Sequence, residues 1–379
     1  MSRIMKQRKE MIKFGVCIAL LFTLNVLSSF CKPQTGADNE SYLDFEILDE
    51  QSKTCRLKRC VLKKIRKVDV PETVVISGQT YRLTTIGLSA FYNCDSLEKI
   101  TLPNSVTKIE KFAFAKCDKL TSITLPDSLI EVKEFAFSRT PLSQVIVPKY
   151  VKAIGERAFD CNIIVDNENP NFSSEDGVLF DKTKKSLLSV PIDKKIYTIP
   201  KSVEIIAEYA FRSRTIKEVI IPNSVTSIGK CAFVDCWQLS EVVIPNSVEV
   251  IGDSAFWQCK SLTQVTLPNS LKEISSSLFE WCTSLKHIEI PNSVTVIGKG
   301  AFAKTGLTHI SIPESTVKIG DWAFFSCYNL SQVTVPDSLL EIGNCAFKYC
   351  ENLKQITIPS STKTVGDWVF PQNCEVVRK

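Results

Sequence analysis

Phenylalanine returns along this chain with a fixed period, and this regularity limits the fold more than any other feature of the sequence. Successive members of the series are 22 or 23 residues apart, except for one step of 52. Eleven prolines keep the same period. Such a period predicts a solenoid, in which each repeat buries its apolar side against its neighbours. The series consists of Phe91, Phe114, Phe137, Phe159, Phe211, Phe233, Phe256, Phe279, Phe302, Phe324, Phe347 and Phe370.

Within each repeat the apolar residues change from a helix-like to a strand-like period. The first of them recur at one-turn intervals, which predicts a short helical turn with one buried face. Ile100 and Leu102 then alternate with Thr101, as expected for a half-buried strand. Pro103 ends this strand because it has no N–H group for a ladder hydrogen bond. The helical-turn residues of this repeat are Ala90, Phe91, Cys94 and Leu97.

Stacking of these repeats predicts a β-solenoid of about twelve coils, whose strands pair about 4.8 Å apart. The long step between Phe159 and Phe211 contains a turn-rich segment and two short apolar runs, which predict an inserted hairpin. The predicted divisions are a signal peptide at 1–31, an N-terminal cap at 32–89, repeat coils at 90–161, the hairpin insertion at 162–197, repeat coils at 198–370 and a C-terminal cap at 371–379.

The N-terminus has the pattern of an export signal. Five basic residues precede a mainly apolar run from Phe14 to Phe30. We predict a cleaved signal peptide over 1–31, with an uncleaved signal anchor or an acylated Cys31 as alternatives. Each of the three places the rest of the chain outside the cytoplasm. We therefore predict a secreted or cell-surface protein that contacts a membrane only through a lipid or signal anchor.

The net charge of +5 arises mostly from this N-terminal segment. Residues 1–31 contain five basic residues and one acidic residue, which leaves 41 basic and 40 acidic residues in the remainder. A nearly neutral chain has no broad basic surface for phosphate backbones. The composition therefore argues against a nucleic-acid partner.

Fifteen cysteines are an unusual number, and about half of them share one place in the repeat. Seven lie three residues after the repeat phenylalanine, which predicts a ladder of buried thiols. Stacked side chains at one position run parallel, which does not suit disulfide geometry. Cys55 and Cys60 lie outside the repeat and form the candidate disulfide of an exported chain. The ladder consists of Cys94, Cys117, Cys236, Cys259, Cys282, Cys327 and Cys350.

Aromatic residues close to the repeat phenylalanine are the candidate binding residues. Exposed in a row, they would suit a protein or a glycan partner. The alternative is that they shield the contacts between coils. The polar positions along the predicted strands form a second candidate face, which includes His287 and His309. The candidate binding residues are Tyr92, Trp237, Trp257, Trp281, Phe325 and Tyr349.

Catalytic patterns are absent from the sequence. We find no convergent Ser/His/Asp or Cys/His set, no phosphate-binding glycine loop and no paired CxxC zinc motif. With two histidines in the chain, a metal site would lack ligands. We therefore predict no enzymatic activity, no cofactor and no metal site.

The repeat resembles that of the BspA-like leucine-rich repeat family. The resemblance lies in the consensus seen at 228–248, which repeats over about 70–370, and in the insertion at 169–180. It implies a leucine-rich-repeat-like β-solenoid in a secreted or surface protein, a class linked to adhesion and host-protein binding. We therefore predict a non-enzymatic extracytoplasmic binding protein that acts in protein–protein interaction or adhesion, for example on a host or extracellular-matrix protein. A glycan-binding surface module is the alternative.

Overall fold

The computed structural model describes residues 42–212 and 215–379, which form a β-solenoid with no helix in these ranges. The first eleven strands are β1 (Leu43–Asp49), β2 (Thr54–Cys60), β3 (Lys67–Asp69), β4 (Thr73–Ile76), β5 (Gln79–Ile86), β6 (Lys99–Thr101), β7 (Lys108–Ile109), β8 (Glu131–Val132), β9 (Gln144–Val147), β10 (Ala153–Ile154) and β11 (Asn162–Val165). In the cap, β1 pairs with β2 and β4 pairs with β5, both antiparallel. The pairing of β2 with β5 is parallel and joins the cap to the coils.

The remaining strands belong to the insertion and to the second series of coils. The insertion contains β12 (Phe172–Glu175), β13 (Val178–Asp181) and β14 (Ser186–Ser189). The later strands are β15 (Ile196–Thr198), β16 (Ile205–Ile206), β17 (Glu218–Ile220), β18 (Ser227–Ile228), β19 (Glu241–Val243), β20 (Val250–Ile251), β21 (Gln264–Thr266), β22 (Glu273–Ile274), β23 (Val296–Ile297), β24 (His309–Ser311), β25 (Lys318–Ile319), β26 (Gln332–Thr334), β27 (Glu341–Ile342), β28 (Gln355–Ile358), β29 (Thr364–Val365) and β30 (Glu375–Arg378).

A typical coil contributes two short strands to two separate parallel ladders. The first strand of the coil, such as β6, matches the sequence prediction and buries Ile100 between two exposed residues. We call the surface made by these first strands the strand face. The second strand, such as β7 with buried Ile109, pairs with β5 and β8. Sequence analysis missed this second strand because two residues are too few to display an alternating pattern.

The segment around the repeat phenylalanine is a series of tight turns, which corrects the predicted helical turn. Ser89 and Asn93, two residues on either side of Phe91, have φ angles of 55° and 59° in the left-handed region. Such residues end a right-handed helix. The N–H groups of Phe91 and Asn93 donate to the carbonyl oxygens of Ala113 and Ala115 in the next coil, at 2.7 and 2.9 Å. Hydrogen bonding between coils therefore outweighs local helix propensity.

The repeat phenylalanines stack on one another along the solenoid axis. Phe233 and Phe256, for example, have ring centroids 4.9 Å apart and planes inclined by 3°. Both side chains are fully buried. Burying a phenylalanine is worth about 2–3 kcal/mol by area, before the loss of entropy is counted. On each side of the insertion every ring contacts the ring of the next coil, so the phenylalanines fix how these coils stack.

The seven ladder cysteines are fully buried, as predicted. From Cys117 onwards each of them donates its S–H group to the phenylalanine carbonyl oxygen of the preceding coil. The distance is 3.1 Å from Cys117 to Phe91 and 3.2 Å from Cys259 to Phe233. In the shortened coil at Phe302, Thr305 bonds instead to the carbonyl of its own phenylalanine. The repeat thus requires a small side chain that packs like an apolar residue and still donates a hydrogen bond.

The insertion separates the apolar interior into two cores. Leu179 packs in the N-terminal core, which extends from the cap to β11. Its neighbours Val178 and Phe180 pack in the C-terminal core, which extends to Val369. All three residues lie on β13, where successive side chains point to opposite faces. Strand β13 is therefore a wall between two solenoid segments, here called the N-terminal segment (43–165) and the C-terminal segment (178–370).

Candidate functional site

The tight turns at the repeat phenylalanines lie along one edge of the solenoid, which we call the turn ridge. All six candidate binding residues lie on it. Tyr92, in the N-terminal segment, is exposed. In the C-terminal segment Trp237, Trp281 and Tyr349 are exposed, whereas Trp257 and Phe325 are partly buried.

The aromatic residues concentrate at the C-terminal end of the ridge. Phe325 and Tyr349 pack edge to face with ring centroids 5.3 Å apart. Sequence analysis missed two exposed residues nearby: Trp322 lies in the coil of Phe325, and Trp368 lies in the coil after that of Tyr349. They were recognisable from their shared place two residues before the repeat phenylalanine, at Phe324 and Phe370. We call Trp281, Trp322, Phe325, Tyr349 and Trp368 the aromatic cluster.

Lysine side chains cover one face of several rings in the aromatic cluster. Lys304 Nζ lies 4.1 Å from the Trp281 ring centroid, and Lys299 Nζ lies 4.6 Å from that of Trp322. Lys348 Nζ lies between two rings, 5.1 Å from Tyr349 and 5.2 Å from Trp368. Cation–π contacts at such distances hold the rings in place and put ammonium groups beside them.

Four residues of the cluster have backbone conformations that suit smaller residues. The φ angles of Trp281, Trp322, Tyr349 and Trp368 lie between 56° and 65°. Gly300 occupies one of these places in another coil, where such a conformation carries no steric cost. A bulky residue in this region is strained by about 1 kcal/mol or more. The place two residues before the repeat phenylalanine also holds Phe112, Phe135 and Tyr209 with similar φ angles, so aromatic residues recur there in spite of this strain.

A depression of ≈ 550 Å³ lies at the C-terminal end of the cluster. Tyr349 and Trp368 line it together with Lys348, Glu351 and Lys354. Aromatic walls with a few charged groups are typical of a binding surface. The turn ridge of the N-terminal segment has a smaller group of aromatic side chains. There the stacked rings of Phe112 and Phe135 lie 5.2 Å apart but are partly buried.

The strand face is less polar than the sequence predicts. His287 and His309 stack with ring centroids 4.8 Å apart on this face. On either side of the insertion, however, the residue that follows the first buried residue of this strand is apolar and points outward, and Val243 is 64% exposed. Sequence analysis missed this row because an Ile-x-Ile strand with a third apolar residue looks fully buried. The row consists of Ile146, Ile164, Ile220 and Val243.

The candidate disulfide residues lie far apart on one strand. Cys55 and Cys60 are five residues apart on β2, roughly 16 Å at the rise of an extended chain, and a disulfide allows no more than about 7 Å. Both side chains are buried. A hydrogen bond with Cys94 is the main cause that lowers the pKa of Cys60 to about 7, and the Lys63 charge assists it. The strand geometry thus does not support the predicted disulfide.

Residues 42–212 and 215–379 contain neither a candidate metal-binding cluster nor a membrane-spanning helix. Within them no group of three or more His, Cys, Asp or Glu residues could hold a metal ion. Those residues also contain no helix that is long and apolar enough to cross a membrane. The predicted signal peptide at 1–31, with the alternative at Cys31, lies outside the described residues.

Three solved structures are similar to this chain. A leucine-rich repeat protein from Bacteroides ovatus is 26% identical, with 87% of this chain and 99% of that chain covered and a TM-score of 0.46. A leucine-rich repeat protein from Eubacterium ventriosum is 24% identical, with 71% of this chain and 94% of that chain covered and a TM-score of 0.48. A leucine rich cell surface protein from Faecalibacterium prausnitzii is 21% identical, with 89% of this chain and 95% of that chain covered and a TM-score of 0.41. No curated protein matches the sequence.

The family described as "BspA type Leucine rich repeat region" matches residues 84–203, 193–305 and 272–378. These ranges include all twelve repeat phenylalanines and reach into the last strand. The repeat, the two strand ladders and this match agree, and the chain belongs to the BspA-type leucine-rich repeat family.

Proposed function

We propose that this protein is a non-enzymatic binding module that acts outside the cytoplasm and holds a partner protein on the aromatic cluster. The observation that carries the proposal is the exposure of four rings of the aromatic cluster within five consecutive coils; Trp368 is 74% exposed. Tryptophan and tyrosine are enriched among the residues that dominate binding at protein interfaces. A row of exposed rings on a rigid solenoid is therefore a surface suited to a partner.

The location outside the cytoplasm rests on the sequence and on the family. The basic and apolar pattern of 1–31 predicts export. The resemblance to BspA-like proteins implies a secreted or surface protein, and the match to that family covers most of the chain. An adhesive role at the cell surface is consistent with both.

The lysine contacts favour a protein over a glycan as partner. A sugar that stacks on an aromatic side chain needs an open ring face. Lys304, Lys299 and Lys348 each cover one face of a ring in the cluster. Rings that are flanked by ammonium groups suit a partner surface with apolar and acidic groups, which protein interfaces combine. Glycan binding is the second candidate function because each ring keeps its other face.

Binding of the purified protein to two arrays tests this proposal. One array carries extracellular-matrix proteins and the other carries glycans, and both are probed in parallel. Trp281→Ala and Trp368→Ala remove the two ends of the aromatic cluster. Tyr150→Ala is the matched control, because Tyr150 is 57% exposed but lies in the N-terminal segment away from the ridge. We expect saturable binding to a protein, weakened at least about tenfold by each tryptophan variant and unchanged by the control.

Two results would argue against the proposal as stated. Saturable binding to a glycan, with loss in the tryptophan variants, would favour the second candidate function. Binding that is equal in all variants would place the interaction on another surface, for which the strand face is the first alternative.

A further inference from the structure

The turn ridge is interrupted where the insertion meets the C-terminal segment, and a depression of ≈ 480 Å³ lies there. Normally the N–H group of the repeat phenylalanine bonds to the next coil, as Phe211 does to Ala232. In the coil supplied by the insertion, Val190 takes this place and donates to Ala210 at 2.8 Å. This coil continues through Pro191 without the Phe-x-x-Cys turn. The missing turn leaves a gap in the ridge.

Charged side chains from four neighbouring coils converge on this gap. Arg139, Arg157 and Arg212 line it together with Asp160 and Asp235. Three guanidinium groups face two carboxylates, which leaves one positive charge in excess.

Both carboxylates already have donors. Asp160 accepts hydrogen bonds from the backbone N–H of Arg139 at 2.9 Å and from the Ser138 hydroxyl at 3.2 Å, and Arg157 Nη2 lies 3.4 Å from it. Asp235 pairs with Arg212 Nη2 at 3.3 Å. Within the described ranges the Arg139 guanidinium makes no ion pair. The excess charge of the depression is thus concentrated on Arg139 and Arg157.

Arg157 is the residue of this depression that has a buried hydrogen-bond donor without an acceptor in the described part of the chain. Its side chain is 15% exposed and packs against the Phe135 ring at 5.3 Å. Its Nε is buried and has no hydrogen-bond partner among the described residues. Burial lowers the pKa of Arg157, and the charges of Arg212 and Arg139 lower it further against the opposing effect of Asp160. A buried donor without an acceptor is costly, and a guanidinium group makes it more so.

We propose that this depression is a binding site for a carboxylate group. A carboxylate carries the single negative charge that the residues lack, and its two oxygens match the planar fork of a guanidinium. It would accept hydrogen bonds from Arg157 Nε and from Arg139. A dianionic phosphate would leave an excess of negative charge beside Asp160 and Asp235. The inference is independent of the proposed function, because it uses no residue of the aromatic cluster.

Calorimetric titration at constant ionic strength tests the site with two carboxylate probes, N-acetylaspartate amide and glucuronate. N-acetylasparagine amide is the uncharged control for the first probe, and sodium sulfate is the control for a general anion. Arg139→Gln removes an unpaired guanidinium and leaves both ion pairs of the site intact. Arg157→Met keeps the packing against Phe135, and Arg66→Met is the control at an exposed arginine in the N-terminal segment.

We expect carboxylate binding that weakens about tenfold in Arg139→Gln, more in Arg157→Met and not at all in Arg66→Met. The better of the two probes identifies an acidic amino acid or an acidic sugar as the source of the carboxylate. Equal binding of the aspartate and asparagine probes would overturn the proposal. So would sulfate competing as well as carboxylate, or Arg139→Gln binding like the unaltered protein. Because Arg139 is exposed, its variant keeps the test valid if Arg157→Met does not fold.

Discussion

The two solenoid segments use the same repeat but end in different ways. The N-terminal core is closed on one side by the antiparallel cap and on the other by one face of β13. The C-terminal core begins at the opposite face of β13 and runs through eight stacked phenylalanines. In a solenoid, stability is approximately a sum over coils and their contacts with neighbours. A strand with one core on each face therefore forms a boundary between two units that can lose structure separately.

The largest effect should come from removing a stacked ring within one segment. We expect Phe256→Ala to destabilise the C-terminal segment by about 3–5 kcal/mol, because it leaves a cavity between Phe233 and Phe279. Phe114→Ala is the matched variant of the N-terminal segment. Hydrogen exchange read by mass spectrometry should locate each loss of protection in the altered segment. Equal loss in both segments would mean that they unfold as one unit.

Truncation of the wall strand tests the boundary itself. Leu179→Ala should cost about 2–4 kcal/mol and reduce protection in the N-terminal segment, because its side chain lies in that core. Phe180→Ala should instead affect the C-terminal segment, since Phe180 points the other way. Urea unfolding with the same exchange measurement compares the two. The same pattern of lost protection from both variants would contradict the two-sided role of β13.

A buried asparagine ties the insertion to the N-terminal segment. Asn169 Nδ2 donates to the carbonyl oxygens of Pro148 and Val151 at 2.9 and 3.1 Å. Asn169→Ala would leave both carbonyls without this donor, so we expect a loss of about 2 kcal/mol in thermal or urea unfolding. Asn246→Ala, at an exposed asparagine, should cost much less. A loss as small as that of the control would mean that water replaces the amide.

The smallest effect concerns the thiols of the two segments. The pKa of Cys60 is lowered to about 7, whereas burial raises that of Cys259 well above its usual value. Because a thiolate absorbs ultraviolet light more strongly than a thiol, the absorbance of the folded protein should increase as the pH rises through about 7, and Cys60→Ser should remove this step whereas Cys259→Ser should keep it. The lowered pKa also links Cys60 to stability. Its thiolate stabilises the folded state at a pH above the pKa of this thiol in the unfolded chain, and this stabilisation is lost as the pH falls through about 7. Ultraviolet titration of the two variants measures the absorbance step; a step near pH 7 that remains in Cys60→Ser would contradict the prediction.

Much of the fold could be predicted because the repeat displays its buried positions twelve times. The phenylalanine stack, the thiol ladder and the first strand of the coil follow from that period. The tight turns could not be predicted in this way. Ala90, Phe91 and Cys94 have a helix-like spacing, but their neighbours Ser89 and Asn93 take left-handed conformations so that the turns can bond to the next coil.

The candidate sites, like the fold, could be predicted from the sequence only in part. Trp281 and Tyr349 were recognisable as unusual residues beside a repeat position, and Trp322 and Trp368 could have been recognised by the same rule. The contact of Lys348 with Trp368 could not be predicted, because it joins residues of different coils. The arginine-lined depression was also out of reach, since it depends on a turn that the insertion omits.

The sequence alone determined that this chain is a solenoid, where its coils lie and which residues fill its core, because a period of 22 or 23 residues with a fixed apolar pattern allows few other folds. The tertiary structure decided which exposed residues meet, that β13 divides the interior in two and that three arginines share one gap. These features depend on the register between coils, and register arises from hydrogen bonds and packing between residues that are 20 or more positions apart in the chain.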